Sequence, residues 1–253
     1  RYYDQRNAST VLEIIKDKNY GFSVKEIEQV FRHSSTDQVL TLMEPKIDQM
    51  KRQLIFMQGV IAEYEKLKTF CEETRQDQWF VKATDAFYFL PHVDVHGFVE
   101  DPFIYEILPA WIQHMPIVKS CQRCPADQPE NYVWGLSVPQ QAADQIQLPV
   151  NSSVQLCPRR QFFEYHSIFA LGKSKENPLQ KALAQMHLLG LKPVDSIYRN
   201  ILMYTEYQSD GTVEHSILYI PFIQESFIPN PDRDWDSASN DSKKYPARQI
   251  DFI

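Results

Sequence analysis

The sequence predicts an α+β protein, in which short N-terminal helices and one long coiled-coil helix precede a duplicated β-α-β-β domain. Apolar residues recur with heptad spacing between residues 40 and 71, which is typical of a coiled coil. Beyond residue 77, aromatic and β-branched runs follow the order strand, helix, strand, strand twice, at about 79–157 and 161–222. We therefore expect N-terminal helices in 1–34, the coiled coil in 35–76, the duplicated domain in 77–224 and a tail in 225–253.

Composition limits the classes of function. The formal net charge of −7 disfavours nucleic-acid binding along the whole chain, although it leaves room for a small basic DNA-reading part. The four cysteines are too few for a disulfide scaffold of this size. Because no run of eighteen apolar residues occurs, we expect no membrane partner and a cytoplasmic protein. The sequence begins with Arg1 rather than methionine, so we also expect it to be part of a longer polypeptide.

Two short helices are expected before the coiled coil. Residues 8–18 have the apolar spacing of a helix that Gly21 ends. Ser23 and Glu26 have the spacing of a capping box, which begins a second helix over 24–31. The apolar residues of this second helix, which we expect to be buried, are Val24, Ile27, Val30 and Phe31.

The heptad stripe predicts a homodimer. Its positions are Leu40, Met43, Ile47, Met50, Leu54, Met57, Ile61, Tyr64, Lys68 and Cys71. A stripe this narrow needs a second helix to bury it, and the residues that we expect at the dimer seam are Met43, Ile47, Met50, Leu54, Met57, Ile61 and Tyr64. The alternative is a long helix that lies on its own domain. Pro45 lacks an amide hydrogen, so we expect the helix to start or kink there.

The first half of the duplicated domain should contain strands at 78–83, 86–90 and 132–138, with a polar loop at 120–131. Its helix should span 102–115, capped by Asp101, with Ile104, Ile107, Leu108 and Trp111 inward. In the second half we expect a strand at 161–171 and a helix from Asn177 to Leu189, followed by a hairpin formed by 200–207 and 212–220. Such a duplication suggests a groove between two related halves.

Two stretches resemble known families. Arg1, Tyr2 and Tyr3, followed by Gly21-Phe22-Ser23 and then a long dimerising helix, resemble the MerR family of transcription activators. This resemblance implies a partial winged-helix domain that lacks its preceding helix-turn-helix, with Arg1, Tyr2 and Tyr3 contacting DNA. It also implies promoter DNA and RNA polymerase as partners.

The strand Ile217-Leu218-Tyr219-Ile220-Pro221 is similar to the closing Glu-x-x-Ile-Pro strand of GyrI-like effector-binding domains in multidrug-responsive MerR regulators. That resemblance implies a small organic effector, which in such regulators is an aromatic or cationic molecule. Ile217 occupies the position at which drug-binding members carry an acidic residue, so Glu206, Glu214 or Glu164 would have to replace it.

An aromatic-lined groove would bind flat or cationic organic molecules through stacking and cation–π attraction. The domain is rich in candidate rings, including Phe87, Phe89, Tyr132, Tyr207 and Phe222. The residues that we select as ligand-binding are Tyr88, Trp111, Trp134, Phe163, Tyr165, Tyr204, Glu206 and Tyr219.

Catalytic and metal sites are not expected. Cys121 and Cys124 form a CxxC that could bind zinc together with His114 and with His92 or His96, but no second cysteine pair accompanies it. We therefore predict no metal and no cofactor. No nucleophile elbow, Ser/His/Asp set or HExxH occurs, so we predict a regulator rather than an enzyme. The alternative is a stand-alone GyrI-like protein that binds or hydrolyses a small molecule with a Glu–Tyr pair, without binding DNA.

Overall fold

The computed structural model describes residues 5–33, 35–74, 77–171, 177–207 and 211–224. The described residues confirm the α+β class, with N-terminal helices followed by a large antiparallel sheet. The helices are α1 (Gln5–Asn19), α2 (Val24–His33), α3 (Thr36–Glu73), α4 (Pro102–Gln113), α5 (Gln140–Gln145) and α6 (Pro178–Leu188). Among these described helices, none is long and apolar enough to cross a membrane.

The strands form a single sheet. They are β1 (Trp79–Thr84), β2 (Phe87–Asp94), β3 (Gly97–Phe98), β4 (Lys119–Pro125), β5 (Val133–Pro139), β6 (Gln155–Cys157), β7 (Arg160–Ala170), β8 (Leu191–Pro193), β9 (Ser196–Tyr207) and β10 (Gly211–Gln224). Their order is β1-β7-β10-β9-β4-β5-β2-β3, with β6 beside β2 and β8 beside β10.

The sheet order confirms the predicted duplication. The first half is β2-α4-β4-β5 and the second is β7-α6-β9-β10. Read outward from the middle of the sheet, the halves have the matching orders β4-β5-β2 and β9-β10-β7. They meet where β4 and β9 pair antiparallel, with Cys121 opposite Asn200 and Arg123 opposite Tyr198. The two halves are therefore related by a pseudo-twofold axis between β4 and β9.

Helices α4 and α6 cover the same side of the sheet, which we call the helix face. Trp111 of α4, with no exposed surface, packs on β2 and β5, and its indole nitrogen donates a hydrogen bond to the carbonyl of Pro149 (2.9 Å). Met186 of α6 packs over β7 and β10. Side chains of directly paired strand residues lie on the same face of a sheet, so the helix face extends without a break from the first half to the second. The sheet residues in these two clusters include Leu90, Leu136, Val138, Phe163, Tyr165, Leu218 and Ile220.

The loop predicted at 120–131 is wrong in its first half, because residues 119–125 form the central strand β4. The polar composition of this segment favours a loop, but antiparallel neighbours on both sides satisfy the hydrogen bonds of its backbone. Cys121 and Cys124 are both buried, at 0% and 8% exposure. They are three residues apart in a strand, so their thiols lie on opposite faces and cannot bind the same ion. In the part of the chain that the structure describes, no group of three or more potential metal ligands occurs.

Helix α3 begins at Thr36 rather than at Pro45, so a start at the proline is excluded. Ser35 caps the helix: its hydroxyl accepts from the amide of Gln38, whose side chain accepts from the Ser35 amide at 2.8 Å. This capping box is not among the features predicted from the sequence. Pro45 lies inside the continuous helix, where the loss of one hydrogen bond is a small fraction of the 38-residue ladder.

The capping box that begins α2 is present, with the Ser23 amide donating to the Glu26 carboxylate at 2.6 Å. Lys46 of α3 binds both Glu26 (3.1 Å) and the carbonyl of Gly21 (2.9 Å), which ties this turn to the long helix. Of the α2 residues expected to be buried, Ile27 is buried, but Val24 and Phe31 are 68% and 48% exposed. The described part of the chain places no element over that side of α2.

Candidate functional site

The sheet surface opposite the helix face carries a cluster of five aromatic rings, and we call this surface the aromatic face. Tyr198 lies at the centre, with its ring centroid 4.9 Å from that of Phe87 and 5.9 Å from that of Phe89, both edge-to-face. Phe162 lies 6.4 Å from Phe87 and 6.1 Å from Tyr219. Phe87 and Phe89 come from the first half of the domain and the other three rings from the second. The cluster therefore spans the junction of the halves.

The three phenylalanines are buried, whereas Tyr198 and Tyr219 are partly accessible. Burial raises the pKa of both tyrosines, so both are neutral phenols near neutral pH and can donate hydrogen bonds. Edge-to-face pairs of this kind contribute about 0.5–1.5 kcal/mol each beyond the area that they bury. The arrangement is a rigid apolar floor with two phenolic hydroxyls.

Small polar groups lie near Tyr198 on the aromatic face. Ser137 of β5 donates to the side-chain carbonyl of Asn200 on β9 (2.8 Å), so this hydrogen bond joins the two halves. Cys121 and Cys157 are buried nearby. Burial raises the pKa of Cys121 to about 12 and also raises that of Cys157, so both remain protonated thiols. These cysteines are therefore packing groups and weak donors rather than nucleophiles.

A buried glutamate lies at the side of the ring cluster. Glu164 is 2% exposed and is the cross-strand neighbour of Tyr219. Its carboxylate is 2.8 Å from the Lys82 ammonium and 2.7 Å from Nε2 of His166. Burial alone would raise the pKa of Glu164, but the hydrogen bonds from His166 and Lys82 and the lysine charge lower it overall. Glu164 is therefore ionised near neutral pH.

The C-terminal half of α3 contacts this same face of the sheet. The Phe70 ring lies 5.1 Å from the ring of His166, and the Thr74 hydroxyl is 3.2 Å from His166 Nδ1. Further along the helix, Glu63 binds Lys119 of β4 at 2.7 Å. Burial would raise the pKa of Glu63, but Lys119 and Lys66 lower it overall. Helix α3 thus forms one side of the site.

Of the eight residues selected as ligand-binding, Tyr219 lies on the aromatic face. Trp111 is a core residue of α4, and four others lie on the helix face. Glu206 is exposed on β9. Tyr204 is 53% exposed, and it is the cross-strand neighbour of Glu214 in the β9–β10 ladder. The structure therefore does not bring these eight side chains together. The four on the helix face are Tyr88, Trp134, Phe163 and Tyr165.

The three possible replacements for the acidic residue lie in different places. Glu164 lies on the aromatic face, and Ile217 on the adjacent strand faces the same way. Glu214 lies on the helix face, where Nε of Arg199 donates to it at 2.9 Å. Glu206 is exposed.

Phe162, Tyr198, Lys82 and His166 were not identified from the sequence. Counting in steps of two from Glu164 along β7 would have reached Phe162 and His166, since alternate strand residues share a face. The pairing of β4 with β9, which brings Tyr198 beside the first half, has no signal in the sequence.

The residues expected at the dimer seam lie on the surface of α3. Ile47, Leu54, Met57, Ile61 and Tyr64 are between 49% and 64% exposed, and Met50 is 45% exposed; Met43 is partly exposed. Arg1, Tyr2 and Tyr3, expected to contact DNA, lie outside the described residues. A separate surface cleft of about 270 Å³ lies between α3, the end of α4 and α5, and none of the five clustered rings lines it.

No protein-family model and no curated protein sequence matches this sequence. Several solved structures are similar to it. The EcmrR–DNA complex in EcmrR-RPo matches at 13% identity and a TM-score of 0.39, covering 89% of this chain and 86% of that one. The C-terminal domain of EcmrR matches at 12% identity and a TM-score of 0.36, covering 60% and 100%. A hydrolase from Listeria innocua matches at 11% identity and a TM-score of 0.36, covering 61% and 98%.

Proposed function

We propose that this chain belongs to a dimeric transcription regulator of the MerR type, which senses a small aromatic effector on the aromatic face. The observation that carries the proposal is that α3 contacts the sheet on one side and exposes apolar residues on the other. One side of the helix contacts the aromatic face through Glu63, Phe70 and Thr74. The opposite side presents the exposed heptad stripe. A single rigid element thus connects a candidate ligand site to a candidate dimer axis.

The exposed stripe supports the dimer. Its residues have heptad spacing, and the body-facing residues Phe56, Val60 and Phe70 lie on the other side of the helix. A row of apolar side chains along a 38-residue helix would be costly to leave in water. A second copy of α3 would bury it, with Leu54 and Met57 near the middle of the contact.

The hydrogen bonds of His166 supply a physical link between the effector site and α3. Its Nε2 contacts Glu164 beside the ring cluster, and its Nδ1 contacts Thr74, which caps the C-terminus of α3. A ligand that displaces or reorients Glu164 therefore acts on the end of the helix. Effector control of this kind requires different contacts in two arrangements of the dimer.

DNA contact is proposed from the sequence. Arg1, Tyr2 and Tyr3 match the end of the MerR wing, where one cation and two hydroxyls would position the protein on phosphates. In this proposal, promoter DNA and RNA polymerase are the partners of the natural polypeptide.

The test uses the natural polypeptide that contains this chain and a labelled DNA fragment from upstream of its own gene. Fluorescence anisotropy should show specific binding that weakens as salt is raised, because phosphate contacts release counterions. A scrambled fragment of equal length is the control. Equal affinity for both fragments, or no binding at low salt, would contradict the proposal that the protein is a DNA-binding regulator.

The alternative function is hydrolysis of a small electrophile. It is favoured by one observation, namely that Glu164 and Tyr219 are cross-strand neighbours on the aromatic face. The lowered pKa of Glu164 argues against it, because a general base works best with a pKa near the working pH. Turnover of an activated ester that is lost in Glu164→Gln, but unchanged in Glu206→Gln, would establish this alternative.

A further inference from the structure

The carboxylates near the aromatic cluster already have cationic partners. Glu164 binds Lys82 at 2.8 Å, and Glu63 binds Lys119 at 2.7 Å and Lys66 at 2.8 Å. A cationic ligand that used either carboxylate would have to displace a lysine from it. That exchange gains little, since one ion pair only replaces another while the ligand loses its hydration.

Arg123, unlike these carboxylates, lies beside the ring cluster without a partner of opposite charge among the described residues. Its guanidinium carbon lies 5.2 Å from the centre of the Phe89 ring, and its backbone pairs with that of Tyr198. It donates a hydrogen bond to the side-chain carbonyl of Gln155, which is neutral. Within residues 5–224, apart from the stretches that the structure leaves undescribed, no carboxylate lies within 4.0 Å of its nitrogens. Arg123 is thus a half-buried cation beside the ring cluster without a counter-charge.

A second arginine beside the ring cluster, Arg160, does have a counter-charge. Arg160 lies over the Phe162 ring at 6.0 Å, but its guanidinium binds Asp195 at 2.6 Å. Both arginines therefore flank the aromatic rings, and only the charge of Arg123 remains available to a ligand. A guanidinium has five N–H donors, and its planar fork matches a carboxylate.

We propose that the effector is an aromatic carboxylate, whose ring stacks on the cluster of Tyr198 and Tyr219 while Arg123 binds its charged group. This inference rests on the proposed function for the location of the site and replaces a cationic effector with an anionic one. Arg123 is then the residue that determines which charge the site accepts.

The test compares three ligands that share one ring system: 2-naphthoate, 2-naphthol and trimethyl(2-naphthyl)ammonium. Isothermal titration calorimetry at pH 7.5 and low salt should give the highest affinity for 2-naphthoate. In Arg123→Met the affinity for 2-naphthoate should fall about 10- to 100-fold, the value of a charge-assisted hydrogen-bond pair. The affinity for neutral 2-naphthol should change less than threefold, which also shows that the aromatic face has remained folded.

Arg159→Met is the matched control, because it removes the same charge from a side chain that is 72% exposed and 3.8 Å from Asp85. It should leave all three affinities unchanged. Tightest binding of the quaternary ammonium would overturn the inference while leaving the proposed regulator intact. Equal loss of 2-naphthoate affinity in both variants would overturn the role of Arg123, since the effect would then be general electrostatics. Failure of all three ligands to bind would overturn the inference. The DNA-binding and dimerisation measurements would still test the proposed function separately.

Discussion

At the scale of single residues, the aromatic face depends on how closely β5 approaches β2. Gly135 lies directly under Phe89, and a Cβ atom there would be 2.5 Å from the Leu90 carbonyl oxygen and 2.5 Å from the Phe89 ring. The carbonyl belongs to the backbone of the paired strand, so it cannot move aside without breaking the ladder. The position therefore requires glycine for space.

We expect Gly135→Ala to lower the free energy of unfolding by about 1–3 kcal/mol, as overpacking does in a core. Urea titration followed by circular dichroism measures this change. A glycine-to-alanine change without a clash would instead raise stability slightly, by restricting the unfolded chain. An unchanged or raised midpoint would therefore contradict the close contact.

Glu164 predicts a pH dependence. Its pKa is lowered in the folded protein, so its contribution to stability is complete above the ordinary pKa of 4.5 and is lost as pH falls through the lower folded-state value. Thermal unfolding midpoints between pH 7 and pH 3 should therefore decline less steeply in Glu164→Gln than in the parent protein. The control is Glu65→Gln, an exposed site on α3, which should follow the parent curve.

At the scale of elements, α3 carries the proposal of a dimer. Leu54→Glu places a charge in the centre of the exposed stripe and should convert a dimer into monomers of 29.7 kDa without changing the circular dichroism of the sheet domain. Gln49→Glu adds the same charge at an exposed position outside the stripe and should remain dimeric. Sedimentation velocity distinguishes the two states. A parent protein that is monomeric at micromolar concentration would contradict the proposal that α3 forms a dimer contact.

His166 should hold the C-terminal end of α3 against the sheet. His166→Phe keeps the ring contacts with Phe70 and Phe80 but removes the hydrogen bonds to Glu164 and Thr74. Loss of bonds worth about 1–3 kcal/mol should make amide exchange in residues 70–74 about 5- to 150-fold faster, as measured by hydrogen exchange and mass spectrometry. His187→Phe, on the exposed side of α6, should show no change in that segment. Unchanged exchange in His166→Phe would mean that packing alone fixes the helix.

At the scale of the whole molecule, the two halves share one sheet. The β4–β9 pair and the Ser137–Asn200 hydrogen bond join them, so neither half has a complete sheet without the other. We expect them to unfold as a single cooperative unit. Urea unfolding of the parent protein should give the same midpoint by tryptophan fluorescence and by far-ultraviolet circular dichroism. Separate midpoints would show that the halves are independent.

The sequence by itself determined the long helices and strands other than β4, because local chemistry governs them. Heptad spacing predicted α3, the Ser23–Glu26 spacing predicted a helix start that is present, and Asp101 caps α4 as expected, with the Phe103 amide donating to it at 3.0 Å. The repeated order of strands and helices predicted two related halves. The heptad and capping signals lie within the helices that they predict, and the repeat follows from the order of the predicted elements.

Only the tertiary structure decided which side chains meet. A strand pattern places residues on two faces but does not say which face the helices cover, so most of the selected aromatic residues proved to lie on the helix face. Register between distant strands brings Tyr198 beside Phe87, and Arg123 beside Tyr198, across 75 or more residues of chain. These contacts depend on long-range hydrogen bonding and on total burial, and neither leaves a periodic trace in the sequence. The tertiary structure therefore decided where the candidate site lies and which charge beside it has no partner among the described residues.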